Sequence, residues 1–153
     1  MKKIAAAIAL MASATMVHAE EAKAPKPVYE PAVSASDNEG FIPRMKSQDG
    51  KGQSEGRPLA GVPGMEGSYM GIWKAGPGAY RSEGPRAEVF VVTHGKGTVW
   101  IQGHGTHVLE PGVIISTAAN TPAIITITEG ELRKVSFVDA SRCPIGQPSP
   151  TNC

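Results

Sequence analysis

The residues able to do chemistry are few, and most lie in one stretch. Glu88 heads the run Glu88-Val89-Phe90-Val91-Val92-Thr93-His94, a carboxylate at the start of a β-branched and aromatic segment. A carboxylate among apolar side chains needs a cation, a hydrogen bond or a proton. It can therefore hold a metal, move a proton or anchor a polar ligand. On a strand, Glu88, Phe90 and Val92 share one face, and Val89 and Val91 share the other. Just upstream stand Tyr80, Arg81 and Glu83. Glu83 with Glu88 is the only nearby carboxylate pair for acid–base work.

A second constellation is His104, His107 and Glu110. Residues three apart on strands face opposite sides, so this string does not converge on a metal and reads as an exposed turn. His94 precedes Gly95-Lys96-Gly97, where a turn is the ordinary explanation. The chain has no phosphate loop, no Gly-x-Ser-x-Gly elbow and no Cys near a His. Its methionines are too widely spaced to handle copper.

Cys143 and Cys153 lie at the extreme C-terminus. In an oxidising compartment they form a disulfide, worth about 3 kcal/mol in the entropic account for so short a ring. The bond would order residues 141–153 rather than brace the rest. A redox pair or an intermolecular link is the other reading, although no Cys-x-x-Cys spacing is present.

The compartment is read from the start of the chain. Met1-Lys2-Lys3 is basic, Ile4 to Val17 is uncharged and mostly apolar, and Val17-His18-Ala19 presents small residues for a signal peptidase. This is the pattern of a secretory signal peptide over residues 1–19. The apolar run is too short to span a bilayer. We expect cleavage after Ala19 and a periplasmic or secreted protein without a membrane span. Losing Lys2 and Lys3 from the 15 basic side chains leaves the remainder balanced against 14 acidic ones, which excludes a nucleic-acid partner.

Two regions must position these residues. Residues 20–66 hold six prolines and six glycines, with large apolar side chains scattered singly. Such a composition predicts a linker or arm, flexible or loosely docked. A sharper reading packs it on a partner subunit through Phe41-Ile42. From residue 67 to 140 the chain turns β-branched, in short runs divided by turn residues. Strands are expected over 68–75, 86–94, 97–102, 106–109, 112–117, 123–128 and 131–138, hence an all-β sandwich or barrel.

Several pieces of this half resemble a known family. Gly71-Ile72-Trp73-Lys74-Ala75-Gly76-Pro77-Gly78-Ala79-Tyr80-Arg81 is similar to the opening of the ureidoglycine aminohydrolase-like cupin domains. Glu88 to Gly95 matches the second half of the first cupin motif. Leu109-Glu110-Pro111-Gly112 resembles the turn opening the second motif, and Arg133 to Val138 resembles the closing strand. The resemblance implies a single cupin barrel, an RmlC-like jelly roll or double-stranded β-helix, with Glu88 pointing inward. It also implies a metal held by a His-x-His pair before the Glu and a later His. Here those positions hold Arg81, Ser82, Glu83 and Gly84, and the later stretch is Ala118 to Ala123. A lone carboxylate is a poor transition-metal site, so no metal or other cofactor is expected.

The expectation is therefore a non-metal cupin that binds a small polar ligand or a partner protein. Arg81 would pair with Glu88 inside the barrel, and Tyr80, Glu83 and Phe90 would complete the site. The alternative is a ureidoglycine aminohydrolase-like enzyme, a hydrolase, lyase or isomerase using the barrel carboxylates. The remaining aromatics, Trp73, Trp100 and Phe137, are expected to fill the core. Cupins commonly pair sheet to sheet, and an apolar outer face at Val89 and Val91 needs cover, so a homodimer is expected.

Overall fold

The computed structural model describes residues 30, 32–59 and 67–139. The expected leader and the expected Cys143–Cys153 bond lie outside the described residues.

Ten strands form: β1 (Ile42–Lys46), β2 (Gln53–Leu59), β3 (Ser68–Ala75), β4 (Gly78–Ser82), β5 (Glu88–His94), β6 (Gly97–Ile101), β7 (Gly105–Leu109), β8 (Ile114–Thr117), β9 (Ala123–Ile127) and β10 (Leu132–Asp139). They build two antiparallel sheets, a large one ordered β1-β2-β3-β10-β5-β8 and a small one ordered β4-β9-β6-β7. After β3 the chain steps repeatedly from one sheet to the other, which is the winding of a jelly roll. The described residues contain no helix. The all-β barrel expected from the sequence is the fold observed.

Alternation explains the core. On β5, Phe90 and Val92 are buried while Val89 is exposed, as the two-residue period requires. Val99 and Ile101 of β6, Ile125 and Ile127 of β9, and Leu132 of β10 meet them between the sheets. Leu109 and Leu132 are fully enclosed, and burial of such a side chain is worth roughly 1.5–3 kcal/mol. The turn after β5 depends on Gly95. Its φ is +80°, and a side chain there would strike the Glu131 carbonyl oxygen.

The expected strands recur with edges moved by a few residues, and three further strands appear. Gly78 begins β4 rather than ending a separator, and β4 pairs with β9, Tyr80 opposite Ile125. Residues 42–59, expected as arm, supply β1 and β2 and extend the large sheet beyond β3. The ladder from Ser54 opposite Ala75 to Leu59 opposite Met70 satisfies the β2 backbone. Buried Ser54 knits β1 to β2 where their register shifts. Its hydroxyl accepts from Met45 N and donates to Met45 O, both at 3.1 Å.

The segment before β1 lies across the outer face of the chain's own large sheet, the docked form of the expected arm. Buried Arg133 donates to the Asp37 carbonyl at 3.0 Å, the Ala35 carbonyl at 3.4 Å, the Asn38 side chain, and Glu131 at 2.5 Å. Arg57 pairs with Glu30 and Asp37, each at 3.2 Å. The Lys74 ammonium stands 4.4 Å from the Phe41 ring centre. Three cations of the sheet thus hold one strap.

Candidate functional site

The inner face of the large sheet is not wholly apolar. Register places Trp73 of β3 beside Lys134 of β10, and Ser136 of β10 beside Phe90 of β5. Lys134 is on the same inward phase as Leu132, Ser136 and Val138, all buried. A lysine there needs a counter-charge, and Glu88 supplies it. Lys134 Nζ donates to Glu88 Oε1 at 2.5 Å, with 8 % and 28 % of the two side chains exposed. The ammonium also lies 4.1 Å from the Phe90 ring centre and 5.9 Å from that of Trp73, close enough for cation–π attraction.

This arrangement governs the charge of Glu88. Burial pushes its carboxyl upward, but the Lys134 charge and hydrogen bond outweigh that and hold it below the usual carboxylate range. The Ser136 hydroxyl adds a weaker pull the same way. The hydroxyl is buried and reaches no partner within full hydrogen-bond geometry.

Above the pair opens a cavity of about 300 Å³. Glu88, Lys134, Ser136, Phe90, Trp73 and Tyr80 line it, and Tyr69, Arg44 and Arg86 stand further round its wall. Tyr80 offers only its ring, which meets Trp73 edge-on with centres 5.6 Å apart. Its hydroxyl is taken up by the Gly76 carbonyl at 3.1 Å. Burial raises the Tyr80 phenol pKa, and Asp49 adds to the rise. The Tyr69 phenol is raised chiefly by burial, with Arg86 and Arg44 countering and Glu88 reinforcing.

The expected partnership of Arg81 with Glu88 does not form. Tyr80 takes the inward position on β4, so Arg81 must point outward. It binds Glu83 at 2.7 Å, and 69 % of the Glu83 side chain is exposed. Each of these two raises or lowers the other in the sense of an ion pair: Arg81 upward, Glu83 downward. Neither lines the cavity, so Glu83 and Glu88 make no acid–base pair within it. Trp100 and Phe137, expected in the core, are also exposed. Tyr80, Glu88 and Phe90 do come together. Lys134, Ser136, Trp73, Tyr69 and Arg44 complete the site and were not singled out for it.

The donor set does not fit a transition metal. Among the described residues no three His, Cys, Asp or Glu side chains are grouped to hold one. The lone inward carboxylate already has a cation, and that cation is Lys134. His94, His104 and His107 are exposed.

Residues 64–135 match the family model of the EutQ-like cupin domain. The sequence matches no curated protein. Among solved structures, a cupin-2 domain from Rhodospirillum rubrum superposes with a TM-score of 0.57 at 13 % identity, covering 85 % of this chain and 87 % of that one. A cupin-2 conserved barrel domain protein from Rhodopseudomonas palustris gives 0.57 at 12 % identity, covering 73 % and 79 %. The EutQ protein of Clostridium difficile gives 0.55 at 11 % identity, covering 64 % and 76 %.

Proposed function

We propose that this cupin-superfamily barrel belongs to an exported binding protein that takes up a small polar molecule against Lys134, Glu88 and Ser136. The observation that carries the reading is the buried Ser136 hydroxyl, which has no partner beside an ion pair at the wall of a cavity. An unsatisfied buried hydroxyl costs roughly 1–3 kcal/mol, and a ligand atom would remove that cost. Aromatic walls with a few converging polar groups are the usual make-up of a small-molecule site.

The test is native mass spectrometry of the exported, gently purified full chain, with extraction of whatever it carries. A small molecule released from the wild type and reduced in Ser136→Ala and Lys134→Met supports the reading. A protein that carries nothing, and whose Ser136→Ala variant is simply more stable, sinks it. The same spectra report export: a mature N-terminus at Glu20 and a mass two hydrogens below the reduced chain are expected. A retained leader or two free thiols would refute that part.

A further inference from the structure

Glu88 is committed to Lys134, and the same ammonium covers the faces of Phe90 and Trp73. The features that would draw a cationic ligand are therefore already occupied by the protein's own lysine. What the cavity still has to offer is positive.

Arg44 of β1 supplies that charge. It is exposed at the cavity wall, without an ion pair among the described residues. Its side chain is laid across Gly56. A Cβ on Gly56 would stand 2.7 Å from Arg44 Nε, 3.0 Å from Cγ and 3.4 Å from Cδ. Gly56 does not have a positive φ, so its backbone does not require glycine. The missing side chain is what lets the arginine lie there. Gly56 is paired with Trp73, which puts the arginine stem on the cavity side of the sheet. The burial-raised Tyr69 phenol is lowered in part by Arg44 and Arg86, which places those charges near one rim.

We propose, resting on the reading of the barrel as a ligand site, that the ligand is a small organic anion. Its charged group is received by Arg44 in the Gly56 cradle, and its body lies against Trp73 and Phe90. Ser136 serves a second polar atom of the ligand deeper in. A cationic molecule would meet Lys134 and Arg44 with like charge. A neutral one would leave Arg44 without its counterpart.

Three probes of one shape decide the matter: benzoate, benzamide and benzylammonium, each titrated into the full chain and followed by the indole N–H resonance of Trp73. Benzoate should bind about tenfold more tightly than either other probe, the low end for one charge-assisted hydrogen bond at a solvated rim. Arg44→Gln should abolish most of that preference. Gly56→Ala should do the same while keeping the net charge, because the new methyl displaces the arginine. Equal or tighter binding of benzamide or benzylammonium overturns the proposal, as does a benzoate preference that survives Arg44→Gln. Failure of all three probes to move Trp73 overturns the ligand-site reading itself and this proposal with it.

Discussion

At the scale of residues, the Lys134–Glu88 pair makes the sharpest demand. Removing the lysine strands a carboxylate among Phe90, Val138 and Ser136. Such a loss costs about 3 kcal/mol, the low end for a buried pair, because over a quarter of the Glu88 side chain still meets solvent. Lys134→Met should show that cost in a denaturant melt, and Lys134→Met with Glu88→Gln should cost well under the sum of the two. Additive effects would mean the side chains do not meet. Arg81→Met should leave the melt unchanged, since its partner Glu83 lies in solvent. The pH dependence has a defined sign. The folded Glu88 carboxyl lies below its unfolded value of about 4.3, so its stabilisation is complete above that value. It is lost as pH falls through the lower folded value. The advantage of the wild type over Glu88→Gln should therefore be flat from neutral pH to about 5 and shrink below it; a gap that widens on acidification would contradict the pairing. Alternation along Glu88 to His94 was enough to align Glu88 with Phe90 and Val92 in the sequence. Its partner was hidden because Lys134 comes from a strand far along the chain, and only pairing of β10 with β5 unites them. The available signal was a lysine on the inward phase of Leu132, Ser136 and Val138.

Elements divide by how they announce themselves. β3 and the strands from β5 to β10 declare themselves through short apolar, often β-branched runs between turn residues. β1 and β2 do not. Pro43, Arg44, Gly56, Arg57 and Pro58 show no apolar alternation, because these strands gain stability from the ladder to β3 and from Ser54 rather than from a hydrophobic face. β4 was obscured by Gly76-Pro77-Gly78, which looks like a turn and is half strand. That omission reversed Arg81, for once Tyr80 is inside on β4 its neighbour must be outside. The strap before β1 likewise left no periodic trace, being held by three sheet cations at separate points. Arg133 is the most enclosed of these and gathers the Ala35 and Asp37 carbonyls with Asn38. Arg133→Leu should speed amide exchange across residues 34–41 by at least tenfold while β5 and β10 keep their protection, since local opening there no longer breaks charged hydrogen bonds. Unchanged exchange in the strap would show that it is held by something other than Arg133.

At the scale of the whole molecule, the large sheet keeps an apolar face that no other described residue covers. The strap shields the part of the large sheet near Ile72 and Lys74, but Val89, Ile114 and Phe137 remain 46 %, 68 % and 38 % exposed on the same outer side. They are not scattered. Phe137 is directly opposite Val89, and Val91 is directly opposite Ile114, so the apolar side chains form one continuous band across β10, β5 and β8. A band of this kind invites association, and two copies of one face can meet about a two-fold axis. The Val89 and Val91 half of the band was legible from alternation. Phe137 was not, because it had been given to the core. We expect a homodimer by light scattering at micromolar concentration. Because apolar burial drives the contact, its mass should be insensitive to salt. Phe137→Glu should yield a folded monomer, as the mutation places two like charges at a symmetric contact without touching the Lys134–Glu88 interior. A monomeric wild type would leave the band without a second copy to cover it. A dimer that persists in Phe137→Glu would place the contact elsewhere, with the exposed Trp100 and Val108 of the small sheet the next surface to test.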